Sequence, residues 1–148
     1  MLLRLCSILS IVLYSTAVYA SSLPDINLTP GDTVEVSLDV LCTVGYTATV
    51  RNVPPSLRRQ VFKNYNTDPN SDKFEVDHLI SLELGGSNDI KNLWPESYTK
   101  LPYTARAKDK LENKLHKLIC TNKLDLKTAQ QMISTDWISA YHQFIGPL

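Results

Sequence analysis

The segment from Phe74 to Glu96 constrains the fold of this chain more than any other part of its 148 residues. Its first residues alternate between apolar and polar, as in a half-buried strand that ends in Asp77-His78. The sequence GGSND at 85–89 is the strongest turn signal in the chain, and Asn92-Leu93-Trp94 then predicts a second short strand ended by Pro95. A carboxylate beside an imidazole is costly to bury without a partner or a metal. The segment therefore predicts a small hairpin with a candidate site for a divalent metal.

The first 20 residues have the pattern of a secretory signal peptide. Arg4 gives a short basic start, an apolar run follows, and Val18-Tyr19-Ala20 suits cleavage after Ala20. A membrane anchor is the alternative, but the apolar run is short for that role. We therefore expect residues 1–20 to be removed and residues 21–148 to form a single domain in a secreted or periplasmic protein.

The charge balance excludes a globally basic nucleic-acid binder. Arg4 is the only charged residue among the first 20, so 14 basic and 15 acidic residues remain, with a net charge of −1. With 43% hydrophobic and 20% charged residues, the composition is that of a folded globule. Any recognition of phosphate groups must therefore come from a local patch.

Two cysteines, Cys42 and Cys120, remain after removal of the signal peptide. An even pair in an exported protein favours a disulfide, with two buried thiols or a metal-binding pair as the alternatives. No CxxC spacing occurs, which argues against a zinc knuckle. The bridge would close a loop of roughly 80 residues and contribute on the order of 4 kcal/mol in the chain-entropy model.

Four further elements are predicted around the hairpin. The alternation in Thr33–Val40 places four apolar residues on one face and predicts a strand with one dry face. Apolar residues at helical spacing predict helices over Ser56–Tyr65, over Ala105–Cys120 and over Leu126–Ile145.

Three short motifs, Asp77-His78, Gly85-Gly86 and Asn92-Leu93, resemble at this spacing the HNH endonucleases. The core of the resemblance runs from about Phe74 to His116. Flanking sequences are similar to those of small exported HNH proteins, namely Cys42–Tyr46, Val50–Pro54, Lys108-Asp109 with Glu112 and His116, and Asp136-Trp137. The resemblance implies an α+β fold with a ββα-metal (HNH-like) hairpin plus helix, flanked by an N-terminal strand and helix and a C-terminal helix. One metal would lie between hairpin and helix.

The resemblance also implies different roles for the neighbours Asp77 and His78. Asp77 would be a metal ligand and His78 the general base that activates water. This division agrees with the alternation of a strand, which points adjacent side chains to opposite faces. A structural histidine at a strand end is the alternative for His78. Asn92, on the facing strand, is the candidate group that orients the imidazole and fixes its tautomer. A turn-closing asparagine is the alternative for Asn92, but Asn88 is better placed to close the turn.

The remaining metal ligand is expected from the helix that follows the hairpin. Its first turn offers no good ligand, whereas Asp109, Glu112 and His116 share one face, and Asn113 is a weaker option. We prefer Glu112, because His116 lies deep in the helix near Cys120, where packing is the alternative. Carboxylate ligands favour a single Mg²⁺ or Mn²⁺ ion, with Zn²⁺ next if His116 takes part.

Basic residues crowd the same helix. Seven of them, against two acidic residues, lie between Lys100 and Lys123. The part around Arg106 to Lys117 is a candidate contact for the phosphate backbone of nucleic acid, with DNA favoured over RNA. A solvated helix face is the alternative. Glu83 and Glu96 flank the hairpin and are expected to be exposed carboxylates, with contacts that support the site as the alternative.

These patterns together predict a secreted metal-dependent endonuclease of the HNH type that cuts nucleic acid, DNA in particular, without sequence preference. The main rival is a catalytically degenerate exported protein that keeps the HNH fold for binding. A metal-dependent hydrolase of the cell envelope is a second rival.

Overall fold

A computed structural model of the chain describes residues 22–147. This described part contains five helices and one two-stranded antiparallel sheet, so the fold is mixed α+β. The elements are α1 (Leu38–Leu41), α2 (Tyr46–Val50), α3 (Pro55–Asn64), β1 (Phe74–His78), β2 (Leu93–Ser97), α4 (Ala105–Cys120) and α5 (Leu126–Phe144). The predicted signal peptide lies outside the described residues. None of the helices within 22–147 is long and apolar enough to cross a membrane.

Strands β1 and β2 form the predicted antiparallel pair, in which Phe74 faces Ser97 and His78 faces Leu93. The prediction that Pro95 ends the second strand was wrong, because β2 continues to Ser97 with Pro95 opposite Val76. In a two-stranded sheet each strand is an edge, where the missing N–H of a proline is tolerated. The extension places Glu96 inside the sheet.

The connection between the strands, residues 79–92, is held in a fixed path by a glycine and an asparagine. A Cβ on Gly86 would lie 1.7 Å from the Ile80 carbonyl oxygen, so only glycine fits there. The Asn92 amide accepts from Ile80 N–H at 2.9 Å and donates to the carbonyls of Ile80 and Ser87, both at 2.9 Å. The predicted Gly-Gly turn is therefore a packed part of the site.

The two faces of the sheet meet different helices. Val76 and Leu93 pack with Val61 and Phe62 of α3 in a small apolar cluster. The side chain of Asp77, one residue along β1, instead contacts α4. Strand alternation therefore separates an apolar face from a charged one.

The main core lies between α4 and α5. Leu111, Leu115 and Ile119 of α4 pack in one cluster with Ile133 and Trp137 of α5. Trp137 is fully buried, and its indole Nε1 donates to the Ser22 carbonyl at 2.8 Å, which ties the N-terminal segment to the core. Burial of a large apolar side chain contributes about 1.5–3 kcal/mol to stability. Packing against α5 therefore holds α4 in position.

Helix α5 is broken at Asp136, which has φ −161° and ψ 89°. Its carboxylate accepts from the N–H groups of Ile138 and Ser139, as an N-cap does. The predicted C-terminal helix thus consists of two segments, and the second starts with its own cap.

The predicted N-terminal strand over Thr33–Val40 was wrong. Within the described residues, Thr33 makes an isolated bridge to Gly86, and the chain then enters the short helix α1. Val34 and Val40 are 45% and 50% exposed, so the expected dry face does not form. Alternation can predict which side chains share a face, but a strand also needs a neighbouring strand to satisfy its backbone.

The predicted disulfide between Cys42 and Cys120 is present, with the two Cα atoms 5.7 Å apart. It joins the end of α1 to the last residue of α4. The helix prediction for Ala105–Cys120 is confirmed, and α3 begins and ends one residue before the predicted bounds.

Candidate functional site

Asp77 and His78 point to opposite sides of the last part of β1. The Asp77 carboxylate reaches Lys108 of α4, with Oδ2 2.7 Å from Nζ. The His78 ring instead reaches Asn88 in the connection between the strands, with Nε2 3.1 Å from Oδ1. The predicted divergence of these two side chains is therefore observed.

Asn88 determines the tautomer of His78. Its Nδ2 donates to the Val50 carbonyl at 2.9 Å, and its Oδ1 accepts from the Asn52 N–H at 3.0 Å. Since Oδ1 is the acceptor, the His78 ring must donate through Nε2–H, which leaves the lone pair on Nδ1. Burial lowers the pKa of His78 from its ordinary value of 6.5, so the ring is neutral at pH 7.

The predicted contact of Asn92 with His78 is not observed. The Asn92 amide is occupied by the backbone of the connection, and the side chain is fully buried there. Asn88 orients the imidazole in its place. The closing of the turn and the orientation of the ring have therefore exchanged residues relative to the prediction.

The ammonium of Lys108 lies at the centre of a group of three carboxylates. Its Nζ is 2.7 Å from Asp77 Oδ2, 3.9 Å from Glu96 Oε2 and in direct contact with Glu112 Oε1. It also donates to the His78 carbonyl at 2.7 Å. Lys108 itself is 0% exposed. The four side chains, which we call the Lys108 cluster, connect both strands to α4.

Electrostatic effects on the Lys108–Asp77 pair favour the charged forms. Burial by itself would lower the pKa of Lys108, but the surrounding carboxylates raise it well above the ordinary value. Burial would raise the pKa of Asp77, but the Lys108 ammonium lowers it to about 2. The pair is therefore ionised throughout the neutral range.

The other two carboxylates of the cluster are shifted in the opposite direction. Burial raises the pKa of Glu112 to about 7, against the attraction of Lys108. Burial and the charge of Asp77 raise the pKa of Glu96 well above its ordinary value, and a protonated Glu96 can donate to the Asp77 carboxylate. Neither Glu96 oxygen has a hydrogen-bond donor among the described residues. One ammonium group can therefore balance only part of the negative charge that three ionised carboxylates would carry.

Glu96 had been expected at the surface, but it is 1% exposed. In the register of the hairpin it stands opposite Glu75, two residues from Asp77, and so on the same face of the sheet as Asp77. Glu83 is partly buried, with Oε2 3.9 Å from His116 Nδ1. Both residues therefore lie closer to functional groups than expected.

The alternative ligands on α4 do not join the Lys108 cluster. Asp109 and Asn113 lie on the exposed side of the helix, where the Asn113 amide donates to the Asp109 carbonyl at 2.7 Å. His116 lies beside the disulfide, with Nε2 3.3 Å from Cys120 Sγ and 3.4 Å from the Leu41 carbonyl oxygen. Glu112 is thus the candidate that meets Asp77, and its role as a metal ligand stays a prediction.

A second group has the composition of a metal site. The ligand atoms of Cys42, His116 and Cys120 all lie within 4.8 Å of one another, the one such group among residues 22–147. These residues are donors of the kind that zinc prefers. The two sulfur atoms are bonded to each other in the disulfide, so the group lacks its thiolate donors in this state.

The donor atoms of the Lys108 cluster fit a hard divalent ion such as Mg²⁺ or Mn²⁺. Three carboxylates converge beside a backbone carbonyl, and buried Glu96 has Lys108 as its ion-pair partner at 3.9 Å but accepts no hydrogen bond within the described part of the chain. Oxygen ligands of this kind are those that Mg²⁺ and Mn²⁺ take. The oxygens of these three carboxylates do not form a group within 4.8 Å of one another, and the Lys108 ammonium lies among them.

The basic face of α4 is exposed and lies on the other side of the helix from the core. The exposed basic residues of this face are Arg106, Lys110, Lys114 and Lys117. Lys108, which the sequence pattern had grouped with them, is buried instead. Helix α4 therefore has a basic exposed side and one buried ammonium on its opposite side.

Sequence reasoning missed Lys108 and the contact of Asn88 with His78, and it gave Glu96 a place at the site only as an alternative. One signal was present for Lys108, which precedes Leu111 by three residues and Leu115 by seven and so falls on the apolar stripe of α4. A lysine on a buried stripe needs a negative partner. No comparable signal exists for Asn88, because its contacts depend on the path of the connection between β1 and β2.

Comparison of the chain with protein-family models, with curated proteins and with solved structures gave no match. A function for the site is therefore inferred from the chemistry of its residues.

Proposed function

We propose that this chain is an exported, metal-dependent endonuclease of the HNH type that hydrolyses phosphodiester bonds of nucleic acid without strong sequence preference. DNA is the expected substrate. One observation carries the proposal: a neutral imidazole oriented by Asn88 is adjacent in sequence to Asp77, whose carboxylate converges with Glu112 on a buried cation. Phosphodiester hydrolysis requires a base and a cation, and neighbouring residues of β1 supply the candidate for each.

His78 is the proposed general base. With Nε2–H directed to Asn88, the lone pair of Nδ1 can accept a proton from the attacking water. The low pKa keeps the ring in its neutral form at pH 7, which is the form that can act as a base. Asn88 acts through His78 by fixing the tautomer and the direction of the ring.

Asp77 and Glu112 are the residues that would hold the metal, with Glu96 as a further carboxylate within the cluster. A bound divalent ion would neutralise charge on the phosphate and stabilise the leaving oxygen. The carboxylates come from β1, β2 and α4, so the pairing of the hairpin with the helix sets their separation. Loss of either element would remove the site.

The exposed basic face of α4 is the proposed contact for the nucleic-acid backbone. It carries Arg106, Lys110, Lys114 and Lys117 on the exposed side of α4, whereas Glu112 of the same helix is on its buried side. Contacts of lysine and arginine with phosphates depend on charge and carry no base specificity. This supports cleavage without strong sequence preference.

The disulfide supports an exported location. Such bonds persist in oxidising compartments such as the periplasm and the extracellular space. The Cys42–Cys120 bridge is compatible with such a location. Together with the predicted signal peptide it favours action outside the cytosol.

One observation favours the second candidate, an exported HNH-fold protein that binds without catalysis. His78 is only 2% exposed, and Lys108 already compensates part of the charge of the candidate metal ligands. A buried histidine and a buried ion-pair cluster also occur as purely structural features. The two candidates differ in whether metal and His78 are needed for cleavage.

Nicking of supercoiled plasmid by the oxidised protein tests the proposal. We expect cleavage with Mg²⁺ or Mn²⁺, none with EDTA, and loss of about 10²-fold or more in rate for His78→Ala. His142→Ala is the matched control, because His142 is an exposed histidine on α5. A parallel assay with single-stranded and structured RNA determines the preferred nucleic acid.

The same experiment can reject the proposal. A folded, oxidised sample that binds plasmid but does not cut it with any divalent ion would favour the binding protein. Charge reversal at Lys110 and Lys114 should weaken DNA binding, whereas reversal at exposed Lys127 of α5 should have little effect. Equal effects at the two places would exclude α4 as the nucleic-acid contact.

A further inference from the structure

Lys108 occupies the position in which the carboxylates of the cluster meet. Its ammonium contacts Asp77 from β1 and Glu112 from its own helix, and it lies 3.9 Å from Glu96 Oε2 of β2. Its Nζ also donates a hydrogen bond to the His78 carbonyl oxygen at 2.7 Å. These are oxygen atoms of the types that coordinate a hard cation in proteins.

We propose that Lys108 is the resident cation of this site and competes with the divalent metal for Asp77 and Glu112. In the metal-free protein the ammonium holds the carboxylates in place, and a metal binds only when the ammonium moves away. The inference rests on the proposed function for the identity of the metal site. It goes beyond that function by assigning a positioning role to a residue that was expected on the surface.

The space between Asp77 and Glu112 admits only one cation. An ammonium that contacts both Asp77 Oδ2 and Glu112 Oε1 fills the place between them. A divalent ion coordinates carboxylate oxygens at about 2.0–2.6 Å, so it cannot bind the same two atoms while Nζ stays there. The two cations therefore exclude each other at this position.

The charges of the cluster also favour one cation at a time. Two positive groups at contact distance repel strongly in a buried site, whereas the ionised Asp77 carboxylate requires a cation. Lys108 reaches the cluster from one turn before Glu112, with which it forms an i,i+4 pair. An ammonium tethered in this way stays beside the carboxylates when no metal is bound.

The burial of Lys108 is unusual for a lysine side chain. Its side chain is 1% exposed, whereas the neighbouring Lys110 is exposed on the same helix. Long cationic side chains normally keep the charged end in water. Complete burial of the Lys108 ammonium therefore indicates a position made for a cation by the surrounding carboxylates.

Replacement of Lys108 by Met tests the competition. Methionine keeps an unbranched side chain of similar length and removes the charge. We expect the Lys108→Met variant to bind Mn²⁺ at least about tenfold more tightly than the wild type in calorimetry, because a competing charge is gone. We also expect Mn²⁺ to raise the melting temperature of the variant more than that of the wild type.

Lys110→Met is the matched control, since it removes an exposed charge two residues away. Its Mn²⁺ affinity should stay close to that of the wild type. Equal affinity of wild type and Lys108→Met for Mn²⁺ would overturn the inference. A Lys108→Met variant that is unfolded in EDTA and stays unfolded with excess Mn²⁺ would also overturn it, because metal should replace the lost cation.

A measurement on the wild-type protein avoids the folding problem. The buried ammonium of Lys108 should give a slowly exchanging signal in ¹H–¹⁵N spectra of lysine side chains. Saturating Mg²⁺ should shift or remove this signal and leave that of Lys110 unchanged. If calorimetry records Mg²⁺ binding while the Lys108 signal stays in place, the metal binds elsewhere and the inference is wrong.

None of these readouts uses cleavage, so the two proposals fail separately. Metal-dependent nicking without any effect of Lys108→Met on metal affinity would keep the nuclease and reject the competition. Stronger metal binding by Lys108→Met in a protein that never cuts nucleic acid would keep the competition and reject the nuclease.

Discussion

The Asn88 Oδ1 atom lies 3.1 Å from the His78 Nε2 atom, and the same amide holds the segment before α3 through the Val50 carbonyl and the Asn52 N–H. One side chain thus orients the imidazole and fastens the N-terminal part of the fold to the hairpin. The position of the candidate base therefore depends on a contact between distant parts of the chain.

Replacement of Asn88 by Ala should lower the rate of plasmid nicking by about 10- to 100-fold, because the His78 ring loses the acceptor that fixes its tautomer. The unfolding free energy should fall by about 1 kcal/mol, the usual net value of such bonds. Nicking assays and urea denaturation measure the two effects. Asn88→Asp keeps an acceptor and should retain more activity than Asn88→Ala. Full activity of Asn88→Ala would contradict the assigned role.

Replacement of Asn92 by Ala should act mainly on stability. Three buried hydrogen bonds to the backbone of Ile80 and Ser87 are lost, and their backbone partners are left without the amide. We expect a loss of about 3 kcal/mol in unfolding free energy, measured by urea denaturation. Asn113→Ala, at an exposed position of α4, is the control and should change stability by about 0.5 kcal/mol or less. A small effect of Asn92→Ala would exclude it as the main fastening of the connection.

Glu112 should make the metal-free protein less stable as the pH rises. Its pKa is about 7 in the folded state against an ordinary value of 4.5, so the folded state holds the proton more tightly. The resulting stabilisation is complete below about pH 4.5 and is lost as the pH rises through 7. At 1.36 kcal/mol per pKa unit, the change is on the order of 3 kcal/mol.

Denaturation in EDTA at several pH values measures this effect. Glu112→Gln cannot lose a proton and should reduce the fall in stability between about pH 5 and 8. Glu35→Gln, at a side chain that is 99% exposed, should leave the pH profile unchanged. Identical pH profiles for Glu112→Gln and wild type would contradict the assigned pKa.

Reduction of the Cys42–Cys120 disulfide should lower the unfolding free energy by about 4 kcal/mol, because the bridge closes a loop of about 80 residues in the unfolded chain. Urea denaturation with and without a dithiol reductant measures the difference. The Cys42→Ser/Cys120→Ser double variant should match the reduced wild type and should not respond to the reductant. Equal stability of the oxidised and reduced proteins would show that the bridge does not constrain the unfolded state.

Helices α3, α4 and α5 and the hairpin were predictable because their signals are local. The stripe of Leu111, Leu115 and Ile119 repeats at the period of a helix, and the alternation before Asp77-His78 repeats at the period of a strand. The same periods also separated Asp77 from His78, because neighbouring residues of a strand point apart. Thr33–Val40 shows the limit of this reasoning, since its alternation was clear but most of the segment has no partner strand within the described residues.

The sequence by itself determined the class of the fold, the main helices, the hairpin, the disulfide and the adjacency of Asp77 and His78. Only the tertiary structure decided which asparagine meets His78 and which cation meets Asp77. The physical reason is that these contacts join residues far apart in the chain, through the path of the connection at 79–92 and the packing of α4 on the sheet. The sequence pattern groups Lys108 with the exposed basic residues of α4. The structure places it at the centre of the site, because three carboxylates surround its ammonium.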